Sequence, residues 1–138
     1  MCERWHGNCL WHYVTASNGP ALPMIHFTAR VTTSERDRPL VLDTLRQLLE
    51  PTRVLPGCVC CDLLQDAQDP NRIALFERWE DEESLIRHMR SRQFRAILAA
   101  VDLSEEGPDI RFDWVARVRG LDYIEQTLNS AIEPEATQ

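Results

Sequence analysis

From Met24 the chain alternates apolar and polar residues. Ile25, Phe27, Ala29 and Val31 fall on one side, and His26, Thr28 and Arg30 on the other. That period predicts a half-buried first strand. Over Ser34–Glu50 the spacing turns helical, with Leu42, Leu45, Leu48 and Leu49 as the core-facing stripe. Ser34 offers a cap, and Glu35 and Asp37 suit the positive end of the helix dipole. Pro39 fits only an opening turn, so the regular helix is expected near Arg38, and Pro51 is expected to end it. Pro56-Gly57 opens a second strand, Cys58–Gln65. A turn rich in Asp, Asn and Pro then leads to a third, Arg72–Trp79, and the short link predicts an antiparallel hairpin.

Glu80, Asp81, Glu82 and Glu83 load the start of a second helix, Asp81 to about Val101. Its stripe steps at Arg90-Ser91-Arg92-Gln93, where Leu85 and Met89 do not run smoothly into Phe94, Ile97, Leu98 and Val101. Gly107-Pro108 precedes a fourth strand, Ile110–Val118, and Leu121–Ile132 reads as a last amphipathic helix. The order β-α-β-β-α-β plus a C-terminal helix is the ferredoxin-like α+β arrangement. Two helices cover one face of such a sheet. The other face also reads as apolar, so a second copy is the expected cover and the chain is expected to be a homodimer.

Residues 1–23 lack a sustained period and gather Gly19, Pro20 and Pro23. They are expected to be a flexible, dispensable extension of a domain at 24–118, with 119–138 as C-terminal helix and tail. At 138 residues the chain holds one domain's core. A net charge of −7 disfavours nucleic acid. All 15 basic residues are Arg, which excludes Schiff-base chemistry on lysine. No apolar run is long enough to span a bilayer, and the N-terminus has no secretory apolar block. With five cysteines, an odd number, a reduced cytoplasmic protein without membrane association is expected. No phosphate-binding glycine loop or Gly-x-Ser-x-Gly elbow is present.

His88 lies next to the buried stripe, so it is either a proton-handling group facing a cavity or an ordinary helix histidine. Glu77 shares a strand face with Ile73, Leu75 and Trp79. It reads as a carboxylate in a pocket or as one half of an ion pair. In a regular strand Cys58 and Cys60 would face one way and Cys61 the other, as small buried thiols. Cys2, His6, Cys9 and His12 match no common zinc spacing, and no metal site is expected.

Glu50-Pro51-Thr52-Arg53, Pro56-Gly57-Cys58, Asp69-Pro70, Glu77-Arg78-Trp79 and His88 with Phe94 occur in an order that resembles the antibiotic biosynthesis monooxygenase family of dimeric α+β barrels. The resemblance implies a cofactor-independent monooxygenase. Its reactants would be dioxygen and a small aromatic molecule, such as a quinol or an aromatic polyketide. It implies that His88 handles the proton with Glu77 in support, and that Trp79, Phe94 and Met89, with His26 and Phe27 from the first strand, border the substrate. A non-catalytic dimeric ligand-binding or stress-response module is the alternative. A haem-degrading branch resembles this fold, but the positions it would use hold Ala29, His88 and Leu98, which excludes that chemistry.

Overall fold

The computed structural model describes residues 23–130. The residues of the proposed extension before Pro23, including Cys2, His6, Cys9 and His12, and the tail after Ser130 lie outside the described residues. Strands β1 (Met24–Thr32), β2 (Cys58–Gln65), β3 (Arg72–Trp79) and β4 (Asp109–Val115) form one antiparallel sheet in the order β2-β3-β1-β4. Helices α1 (Arg38–Arg53), α2 (Glu82–Met89) and α3 (Arg92–Val101) pack on one face, and α4 (Leu121–Ser130) follows β4. The result is the ferredoxin-like α+β fold that the element order predicts.

The core lies between sheet and helices. Phe27, Ala29 and Val31 of β1 and Ile73 and Leu75 of β3 meet Val41 and Leu45 of α1 and Phe94, Ile97 and Val101 of α3. Leu42, Leu48 and Leu49 pack around its margin. Helix α1 starts at Arg38 with Pro39 in its first turn. Ser34 still caps locally, its Oγ accepting the Asp37 N–H at 3.0 Å.

Pro51 does not end α1. The missing N–H removes one bond of the last turn, but the turn persists because Thr52 is fully buried and Val54 N–H still reaches Glu50 O. The single helix expected over Asp81–Val101 is two. Ser91 ends one and starts the other: its hydroxyl donates to His88 O and accepts from Phe94 N–H. Strand β4 stops at Val115, not Val118, because Val115 pairs with Met24, the first residue of β1, and the ladder has no partner beyond it.

A bulge at Val59 reverses the expected cysteine directions. Cys58 is opposite Trp79 and Cys61 opposite Glu77, both on the helix side, whereas Cys60 is opposite Arg78 on the other side. Cys58 and Cys61 are free thiols. Cys60 is disulfide-bonded, which departs from the expectation of reduced cysteines throughout. The sheet face away from the helices is mixed, not apolar throughout. Met24, Ala74 and Phe76 share it with His26, Thr28, Arg30, Arg78, Arg111 and Asp113. Among the described residues no helix is long and apolar enough to cross a membrane.

Candidate functional site

Two cross-strand rows build the floor of the site. In one, Cys61, Glu77, Phe27 and Phe112 stand side by side across β2, β3, β1 and β4; in the next stand Cys58, Trp79, Ile25 and Trp114. Helix α2 crosses above them. It is capped by Asp81, whose carboxylate accepts the Ser84 N–H at 2.7 Å. Its approach to β2 is set at Gly57, where φ is +82° and a Cβ atom would run into the Ser84 side chain.

Helix α2 carries His88 onto this floor. The ring stacks on Trp79 with centroids 4.8 Å apart and meets Phe94 edge-on at 5.4 Å. His88 Nε2 lies 3.2 Å from Glu77 Oε1, and Trp79 Nε1–H donates to Glu77 Oε2 at 2.9 Å. Glu77, Trp79 and His88 are all buried. The carboxylate that strand alternation places in the core is thus held by an indole and an imidazole, not by an arginine at the sheet end. With Glu77 ionised, Nε2 must carry the ring hydrogen, since a carboxylate has none to give. Nδ1 is then the lone-pair nitrogen, and it is buried without a hydrogen-bond partner.

The two free thiols flank the carboxylate. Burial first, and then the Glu77 charge, pushes Cys58 up to about 12 and raises Cys61 further. Both are therefore poor thiolate nucleophiles at neutral pH.

Of the residues singled out from the sequence, Glu77, Trp79, His88, Phe94 and Phe27 come together, and Met89 packs half-buried beside them. His26 does not join them. It is on the opposite sheet face, in edge contact with Phe76, because β1 alternates its side chains. Burial lowers its pKa, Arg78 lowers it further, and Asp113 partly opposes them. Sequence reasoning missed Phe112, which packs on Phe27 at 5.1 Å and against the Trp79 cluster. The alternation Ile110, Phe112, Trp114 was the signal for it.

Glu77, Trp79 and His88 are shielded from solvent within one chain. A cavity of about 440 Å³ opens instead at the far end of the sheet, between Arg30, Gln65, Arg72 and Ser104. Between α2 and the sheet the rings of Trp79, His88 and Phe94 pack against one another.

No functionally curated protein matches the chain. Solved structures resemble it closely in fold. A conserved protein from Methanosarcina mazei Go1 is 22% identical with a TM-score of 0.63, over 70% of this chain and 96% of that one. A protein from Pseudomonas aeruginosa is 24% identical with a TM-score of 0.62, over 73% and 100%. A structure described as an antibiotic biosynthesis monooxygenase is 24% identical with a TM-score of 0.58, over 64% and 95%. The family model for antibiotic biosynthesis monooxygenases matches residues 24–100, which contain every member of the Glu77, Trp79 and His88 group. The chain belongs to the antibiotic biosynthesis monooxygenase family.

Proposed function

We propose that the protein is a cofactor-independent monooxygenase of a small quinol-like or polyketide-like aromatic. The observation that supports this most is the buried Trp79–Glu77–His88 chain of contacts, which ends on an unpartnered Nδ1. Trp79 fixes the carboxylate, and the carboxylate fixes the imidazole in the tautomer that accepts a proton at Nδ1. Glu77 also stabilises the imidazolium that forms. Phe27, Phe94, Phe112 and Trp79 offer aromatic surface for a planar ring.

For a substrate with an acidified ring CH₂, His88 removes one proton and leaves a delocalised anion. The anion gives one electron to dioxygen, the two radicals combine to a peroxide anion, the proton held by His88 passes to its outer oxygen, and the hydroperoxide loses water, with the remaining C–H proton leaving as the ring carbonyl forms. One dioxygen is consumed, one oxygen atom enters the product and the other leaves as water. Met89 and Phe112 are half-buried and bridge both core clusters, so they are the side chains that must shift to admit the ring.

The functional unit in this proposal is a homodimer joined through the sheet face away from the helices. Two copies bring Phe76, Met24 and Ala74 out of water, and the mixed charges of that face set the register. Sedimentation at micromolar concentration tests it, with a monomer as the contrary result. Oxygen uptake with a panel of hydroquinones and anthrones tests the activity, with tight aromatic binding and no uptake as the contrary result.

A further inference from the structure

Among the described residues, helix α4 and the helix side of β4 are two apolar surfaces left bare. In α4, Leu121, Ile124 and Leu128 recur three and four residues apart and form one stripe. They are 69%, 55% and 61% exposed, and no residue of the helix is buried. A helix shorter than roughly 12–15 residues is marginal in water without a packing partner. On β4, Ile110 and Trp114 face the helix side beside Ala29 and Ile25, yet remain 38% and 54% exposed.

The junction before α4 sets its direction. Arg119 binds Asp122 at 2.7 Å and Gln126 at 2.9 Å and lies over the Tyr123 ring, while Gly120 N–H donates to Asp122. This clamp lies wholly within residues 119–126. It presents the helix outward, not back onto its own strand.

We propose that α4 docks in trans, its Leu121/Ile124/Leu128 stripe lying on the helix side of β4 in a second copy. Every chain carries both surfaces, so a two-fold pair covers both at once. Charge supports the same occupant. Glu125 lies beside the stripe, and Arg90, Arg92 and Arg95, at the α2–α3 turn and in the first turn of α3, are exposed. Met89, the last residue of α2, and Phe112 of β4 pack on the same Trp79 cluster. The same acid, on a chain of net charge −7, argues against an anionic membrane as the occupant. Docked this way, the partner's helix covers Trp114 next to Phe112. The inference rests on the homodimer proposed above and not on the chemistry at His88.

Photocrosslinking of the full chain, with benzoylphenylalanine placed at position 124, tests the exchange. The expected product has the mass of a dimer and joins α4 to a peptide of β4 or of the α2–α3 turn. An adduct at monomer mass overturns the exchange, and so does a dimer whose adducts avoid those peptides. In a second arm, Ile124→Asp/Leu128→Asp changes exposed residues and leaves the core intact. The dimer dissociation constant is expected to rise at least roughly tenfold, as when apolar anchors of an interface are lost. An unchanged constant overturns the exchange while leaving the sheet-face dimer standing, whereas a monomeric parent chain removes both.

Discussion

Glu77 Oε1 lies 3.2 Å from His88 Nε2, and neither side chain reaches solvent. A glutamate on the core face of a strand is held there by its contacts from Trp79 and His88. Removing His88 leaves the carboxylate buried with one donor. His88→Ala is therefore expected to destabilise the fold by about 3 kcal/mol, the scale for breaking a buried pair. Urea titration of the full chain reads this directly, and a shift below about 1 kcal/mol would show that the pair is not structurally coupled.

Trp79→Phe keeps most of the ring and removes the N–H that Glu77 Oε2 accepts at 2.9 Å. The expected cost is about 1–3 kcal/mol for the unsatisfied buried oxygen. In Glu77→Gln the amide supplies its own donors, so the effects of the two substitutions are not expected to add. A double-mutant cycle should give a coupling of at least about 0.5 kcal/mol.

Gly57 has φ +82°, and a Cβ there meets the Ser84 side chain that Asp81 uses in capping α2. Gly57→Ala is expected to cost more than about 1 kcal/mol, since the backbone conformation and the space are both wrong for a side chain. Thermal unfolding measures it. A neutral outcome would mean that α2 is free to move away from β2.

Cys58 is raised from 9.0 to about 12, first by burial and then by the Glu77 charge, and Cys61 is raised as well. The folded state therefore holds thiol protons that the unfolded chain releases. This stabilisation is complete below pH 9 and is lost as pH rises from about 9 toward 12. The melting temperature should fall across that window. Alkylation of Cys58 at pH 8 should be at least about 100-fold slower in the native chain than in urea. Equal rates would place the thiol in solvent.

Much of the fold is legible because two periods are clean. Strand β2 starts after Pro56-Gly57 and the Asp66–Asn71 turn separates it from β3, as the sequence predicts, and the helix break falls where the apolar stripe changes phase at Ser91. What is not legible depends on neighbours. Ala116 and Val118 continue the alternation of β4, but β1 has no residue left to pair with them. The single bulge at Val59 exchanges the sides of Cys60 and Cys61, and a bulge carries no residue signature here. Val41, fully buried, stands one position before the leucine stripe read from the sequence. At the site, alternation already places Glu77 and Trp79 on one face. The imidazole contact depends on the angle at which α2 returns, which Gly57 and Asp81 set together.

In the proposed chemistry His88, held by Glu77, takes the proton that starts the reaction with oxygen. Oxygen uptake by the full chain with an anthrone or hydroquinone series, compared with His88→Gln at a temperature where both proteins remain folded, tests it most directly. One dioxygen is expected to be consumed per aromatic oxidised by the parent chain, and the variant is expected to be slower by at least about 100-fold, the low end for loss of a general base. Equal uptake by the two proteins, or an aromatic bound by the parent chain with no oxygen consumed, would contradict it.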